Sequence, residues 1–323
     1  MNGVAPHIVQ YQGSKRILAP QILRFMPHHF RRLVEPFAGM AAITIAVASQ
    51  ERADKYIVND INKPIVDILQ AAIDNPSQLI DDYTSVWNEQ FLYELGYVEH
   101  FYKVRDDFNS GNQSAANMLY LLARCVKGSV RYSSNGMFNQ SPDKRRHGTS
   151  PQKLKQNVDA ISYYLKGLTQ FYSLDYHEIL DMTRPGDIVY MDPPYQGVSN
   201  VRDNRYYSGI IHDDFVKAID GLNRRGIDFI ISYDGKCGDK QYGEDIPKEL
   251  GLKKLMLNAG ISSQSILLGK KETTYEALYI SKGLQPIMPK TEQILQYSLF
   301  LPPFVECYCQ YCAVQSFKLK LST

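Results

Sequence analysis

Two kinds of apolar pattern alternate along the chain. Short apolar runs at residues 33–37, 56–59, 170–174, 187–191, 229–232, 254–258 and 275–280 read as strands. Between them lie stretches with apolar residues at helical spacing. A small-residue helix follows the first run over 41–49, and a further helix is expected over 17–25. Ser150-Pro151 supplies an N-cap and a first-turn proline for another, with Leu154, Val158, Ile161, Leu165 and Leu168 on one face. Strands alternating with helices predict an α/β fold with a largely parallel sheet of about seven strands.

The alternation is interrupted once. Amphipathic helices are expected over 64–73, 76–91, 96–108 and 114–127, separated by Asn-Pro, Leu-Gly and Ser-Gly-Asn breaks, and a polar loop then runs from 128 to 149. The expected organisation is a catalytic sheet domain over 1–62 and 150–281, an inserted and mostly helical module over 63–149, and a tail of irregular composition over 282–323. No internal repeat or low-complexity tract occurs.

Composition adds limits. A chain of 323 residues that is 44% hydrophobic can bury a sizeable core, and a net charge of +2 carries no information about partners. The longest apolar stretches, such as 40–48, are too short to span a bilayer, and residues 1–11 lack the pattern of a signal peptide. With five cysteines, an odd number, a cytoplasmic protein is expected. Cys307, Cys309 and Cys312 have zinc-like spacing but no nearby fourth ligand, so no metal is assigned.

The sharpest chemical signal is Asp192-Pro193-Pro194-Tyr195, directly after the apolar run Ile188-Val189-Tyr190-Met191. A buried parallel strand ending there places these groups at the carboxyl edge of the sheet, where α/β folds bind ligands. Two prolines remove two backbone donors and leave a rigid turn with exposed carbonyl acceptors. An exocyclic amine has two hydrogens to donate. The Asp192 carboxylate and the Pro193 carbonyl can accept both, while Tyr195 stacks on the ring.

A weaker signal lies upstream. The first strand runs into Gly39, and Asp60 ends the next strand 21 residues later. That spacing suits an adenosine ribose, although Asp60 could equally cap the following helix. Ala38-Gly39-Met40-Ala41-Ala42 holds one glycine, which disfavours a nicotinamide dinucleotide and fits a cofactor without phosphates. Tyr11-Gln12-Gly13-Ser14-Lys15 does not meet the spacing of a phosphate loop.

Together these strings resemble the DNA adenine methylase (Dam-like) family of S-adenosylmethionine-dependent N6-adenine DNA methyltransferases. The family's aromatic-x-Gly-Gly-Lys motif matches Tyr11 to Lys15, and its Glu-Pro-Phe-x-Gly-x-Gly motif matches Glu35-Pro36-Phe37-Ala38-Gly39-Met40-Ala41. Its acidic motif matches Asn59-Asp60-Ile61-Asn62, and Asp-Pro-Pro-Tyr is intact. Arg131-Tyr132 with Asn135-Gly136-Met137-Phe138-Asn139 is similar to its Arg-Tyr-Asn…Gly-x-Phe-Asn segment. The resemblance implies a Rossmann-like sheet and a cofactor held by Tyr11, Gln12, Gly13, Lys15, Glu35, Pro36, Phe37, Gly39, Asp60 and Asp192. Asp175 and Tyr176 stand where the family contacts the cofactor adenine. The chain departs from the family at Ser14, at Ala41, whose side chain resists a positive φ, and at Ser232-Tyr233, where Ser-Asn is usual.

Double-stranded DNA is the expected partner, and a companion restriction endonuclease is a second. Between 124 and 153 lie seven basic residues and a single acid, Asp143. Arg124, Lys127, Arg131, Asn135, Asn139, Lys144, Arg145 and Arg146 are the candidate DNA contacts, cations for phosphates and amides or arginine for base edges. The target amine is paired inside a duplex, so its base must be flipped out. Two alternatives remain at this point: the same chemistry on the N4 amine of cytosine, and a DNA-binding homologue without turnover.

Overall fold

The computed structural model describes residues 5–92, 96–194, 210–237, 240–241, 244–261 and 273–286. Tyr195 and the cysteine-containing tail lie outside them. Residues 1–286 form one compact unit.

Strands β1 (Phe30–Glu35), β2 (Ala53–Asn59), β3 (Thr169–Tyr172), β4 (Asp187–Met191), β5 (Asp228–Cys237), β7 (Lys253–Ile261) and β8 (Thr273–Ile280) build a mixed sheet in the order β3-β2-β1-β4-β5-β8-β7. The two-residue strand β6 (Lys240–Gln241) pairs with the end of β5. The first five strands in that order are mutually parallel, and β8 is antiparallel to both β5 and β7.

Successive side chains of the central strands serve two different cores. Leu33, Tyr56, Val58, Ile188, Tyr190 and Ile230 face one; Val34, Ile57, Val189, Met191, Phe229 and Ile231 face the other. This is why the strands read as continuous apolar runs, since both faces of a parallel sheet are covered. The first core takes α2 (Ala42–Ala48), α3 (Lys63–Asp74), α4 (Pro76–Leu92), α5 (Tyr97–Asn109), α6 (Ala115–Arg124) and α7 (Pro151–Leu165). The second takes α8 (Tyr176–Asp181) and α9 (His212–Arg224).

Several expected bounds change for physical reasons. The helix expected over 17–25 is broken into two 3-10 turns around the four-residue α1 (Ala19–Ile22), with Pro20 in its first turn. The first strand stops at Glu35, because Pro36 and Phe37 already belong to the turn. The helix expected over 114–127 ends at Arg124, and Lys127 adopts a left-handed φ of +63°. The strands β5, β7 and β8 outrun their apolar cores, since antiparallel pairing needs no buried face to continue. At the amino edge of the sheet, buried Asp187 accepts from Arg31 and Arg32 at 2.9 and 2.7 Å, leaving the carboxyl edge for ligands.

Candidate active site

The chain leaves β1 toward β2 on one side and later returns to place β4 on the other, so the strand order reverses at β1. A crevice opens outside the carboxyl ends at such a point. Here it is lined by Tyr11 to Lys15, Glu35, the turn from Phe37 to Met40, Asp60 to Asn62 and Asp192 to Pro194.

Buried Asn59 fastens the loops around the crevice. Its amide donates to the carbonyls of Pro36 (2.8 Å) and Leu174 (3.0 Å), and its carbonyl accepts from Leu174 N–H at 2.9 Å. Asp60 accepts from Gly39 N–H through one oxygen and from Asn62 N–H through the other, each at 2.9 Å. It therefore does tie down the start of α3, and it also clamps the glycine turn. Burial raises its pKa, against the pull of those two N–H donors. Gly39 has φ +49°, and a Cβ there would meet Tyr11 Cε1 at 3.0 Å. Ala41, expected to resist a positive φ, adopts +52° at the N-cap of α2, at a cost of about 1–2 kcal/mol that a glycine would not carry.

Lys15 is 5% exposed and forms the electrostatic centre. Its ammonium donates to Asp192 Oδ1 at 2.8 Å, to Glu276 Oε1 at 2.9 Å and to the Gly13 carbonyl at 3.2 Å. Asp192 is pushed up to about 6 by burial, with Lys15 holding it down and Glu276 adding to the rise. Glu35 is pushed up to about 8, chiefly by burial, and accepts from Thr44 N–H (3.0 Å) and Thr44 Oγ1 (2.5 Å) on the first turn of α2. Beneath Asp192, the Tyr190 and Ser232 hydroxyls are 2.8 Å apart.

This geometry fits S-adenosylmethionine better than a phosphate-bearing cofactor. Lys15 is the cation among the described lining residues, and two carboxylates already neutralise it. The glycine turn leaves room for close approach beside Asp60, whose carboxylate has lone pairs left for ribose hydroxyls. The model of the D12 class N6 adenine-specific DNA methyltransferases matches residues 11–261. The chain belongs to that family.

As a member it is an N6-adenine DNA methyltransferase, an enzyme acting on DNA with S-adenosylmethionine as methyl source. It is similar to Type II methyltransferase M1.LlaDCHI of Lactococcus lactis subsp. cremoris, 26% identical over 268 residues that cover 81% of this chain and 91% of that one. The DNA N-6-adenine-methyltransferase of Escherichia phage P1 is 26% identical over 71% of this chain and 30% of its own length. Type II methyltransferase M.MjaIII of Methanocaldococcus jannaschii is 24% identical over 69% of this chain and 82% of its own. Membership favours adenine over the cytosine alternative.

Other expected site residues of this methyltransferase are placed as follows. Phe37 lines the crevice and packs on Tyr176 with ring centroids 5.2 Å apart. Asp175 and Tyr176 themselves are not among the lining residues. Asp175 caps α8 through a capping box with Glu178. Arg124 requires a correction. It was expected on DNA, but it is fully buried, donates to the Asp143 carbonyl at 3.1 Å and lies 5.1 Å from the Tyr97 ring centre. Its position on the inner face of α6 is what takes it from the surface. Arg131, Asn135 and Asn139 are exposed on a turn that folds back through a Tyr132–Phe138 bridge. Asn109 grips both backbone groups of Phe138, and the Tyr132 hydroxyl donates to Asn62 at 3.0 Å, which sets this turn at the mouth of the crevice. Lys127, Lys144 and Arg145 are exposed, whereas Arg146 pairs with Asp143 at 2.7 Å and reaches Gln10 at 3.3 Å. Sequence reasoning missed Glu276 altogether.

Glu35 generates a prediction. Its carboxyl rises from an ordinary 4.5 to about 8 on folding, so the folded state favours the protonated form. The contribution is complete below about 4.5 and is lost as pH climbs through about 8. Melting curves of wild type and Glu35→Gln should nearly coincide below about pH 4.5 and separate progressively up to about pH 8, with the glutamine variant melting higher. A constant difference across that range would show that Glu35 does not titrate there.

Proposed function

We propose that Asp192 and the Pro193 carbonyl hold the N6 amine of an adenine flipped out of double-stranded DNA, while Asp60 and the Glu35–Gly39 turn hold S-adenosylmethionine. The observation that carries this reading is the meeting, at one crevice, of a buried carboxylate after β4 with a ribose-suited carboxylate after β2. When bound, S-adenosylmethionine supplies a methyl group on a positively charged sulfur. Asp192 and Pro193 accept the two amine hydrogens and so favour the lone pair as a nucleophile. Pro194 keeps their turn rigid. Asp192, with a pKa near 6, can take the proton that the methylated nitrogen sheds. Lys15 fixes the direction of Asp192, and Tyr11, Gln12 and Gly13 close over the cofactor. Tyr195 is assigned to the flipped base by the Asp-Pro-Pro-Tyr match in the sequence alone.

The turn carrying Arg131, Asn135 and Asn139 is proposed to read base edges, and Lys127, Lys144 and Arg145 to meet phosphates. Two of the similar proteins carry Type II methyltransferase names, which supports a role beside a restriction endonuclease in the cytoplasm. Among the described residues no helix is long and apolar enough to cross a membrane.

Two carboxylate variants separate the roles. Asp192→Ala should abolish methyl transfer while isothermal titration finds cofactor affinity within a few-fold of wild type; turnover near the wild-type rate contradicts the assignment. Asp60→Ala should instead weaken cofactor binding by roughly 1.5–3 kcal/mol, the worth of a charge-assisted hydrogen bond. Equal affinities would leave Asp60 a purely structural clamp.

On the DNA side, alanine at Lys144 or Arg145 should reduce the salt slope of binding by about one charge each, on cognate and scrambled duplexes alike. Arg146, engaged by Asp143, should matter less. Arg124→Ala should lower the melting temperature rather than the slope. Unchanged slopes at Lys144 and Arg145 would place DNA elsewhere.

A further inference from the structure

Two carboxylates, Asp192 and Glu276, meet the Lys15 ammonium. Asp192 at 2.8 Å already neutralises the ammonium, and the Gly13 carbonyl takes another of its hydrogens. Glu276, 12% exposed on β8, adds a second negative charge at 2.9 Å. Its effect on the neighbour has a definite sign. A carboxylate held by a lone ammonium is a weak acceptor and a weak base, because the cation draws on the same lone pairs that a substrate amine needs. A second carboxylate on the same ammonium divides that pull.

We propose that Glu276 is a positioning residue for methyl transfer: it shares the Lys15 ammonium with Asp192 and so keeps the Asp192 carboxylate basic enough to accept from the adenine amine. This rests on the reading of Asp192 as the amine acceptor. The placement follows from the sheet. β8 runs antiparallel to β5, and Glu276 lies opposite Gly235, past the register shift after Tyr233. An acidic side chain from the antiparallel part of the sheet thereby reaches a site otherwise built by parallel strand ends. The titratable groups that bear on Asp192 are Lys15 from the N-terminal segment, Glu35 from β1, Tyr190 from β4 and Glu276 from β8. Of these, burial holds Glu35 and Tyr190 toward their neutral forms, which leaves Lys15 and Glu276 as the opposed charges.

The test is the single-turnover rate of methyl transfer from labelled S-adenosylmethionine to unmethylated genomic DNA, followed against pH. The wild-type rate should fall on the acid side with a midpoint near 6, where Asp192 takes a proton. In Glu276→Gln, which keeps shape and removes charge, that midpoint should move down by about one pH unit. The plateau rate should drop several-fold, and KM for DNA and cofactor should change little. Lys15→Gln should move the midpoint up, and this arm decides the matter if Glu276→Gln does not fold. A folded Glu276→Gln whose midpoint stays in place or rises, or a Lys15→Gln midpoint that does not rise, overturns the proposal. Asp192→Asn run in parallel keeps the two readings apart. If it retains turnover, the assignment of Asp192 fails; if it is inactive and the Glu276→Gln midpoint does not move, the role of Glu276 alone fails.

Discussion

The Lys15 ammonium, held between carboxylates from two different strands, is the constraint on which the site depends. Burying ions costs several kcal/mol each, and that cost is offset only by close, well-aligned partners. Asp192 follows β4 and Glu276 lies on β8, so the strand order has to be right before Lys15 has anywhere to go. Once Lys15 docks, the N-terminal segment lies along the crevice. Tyr11 packs over Gly39, and Gln12 N–H donates to the Gly128 carbonyl at 2.9 Å. Gly128 has no room for a side chain, since a Cβ would meet the Gln10 carbonyl at 2.2 Å. One short segment therefore joins the catalytic carboxylate, the cofactor turn and the start of the DNA-facing loop.

The division of charge follows the division of labour. Inside the crevice the cation is neutralised and the remaining carboxylates are pushed toward their neutral forms, an environment for an uncharged amine and a phosphate-free cofactor. Outside, Lys127, Arg131, Lys144 and Arg145 are exposed and suited to a polyanion. The Tyr132–Asn62 hydrogen bond connects the two zones directly.

Much of this was legible in the sequence, and the reasons differ by residue. The run 187–191 became β4 with the same bounds because a strand covered on both faces is apolar along its length, here from Ile188 onward, with Asp187 at its start paired to two arginines. Asp192 was legible because a carboxylate and two prolines after such a strand have few structural uses. Glu276 was not, since a lone acid within Thr273–Ile280 looks like any solvent-facing strand position until the fold brings Lys15 beside it. Arg124 misled for the converse reason. It sits among surface cations in sequence, but the inward face of α6 takes it into the core. The helix α9 escaped notice because Phe215, Ile219 and Leu222 are the residues it buries within a largely polar segment.

Nucleoside analysis of the methylated product tests the central claim most directly. DNA incubated with the protein and labelled S-adenosylmethionine would be digested to nucleosides and resolved by mass spectrometry. An amine held by the Asp192 carboxylate and the Pro193 carbonyl predicts label in N6-methyldeoxyadenosine alone. Label in N4-methyldeoxycytidine or 5-methyldeoxycytidine, with deoxyadenosine unlabelled, would contradict it.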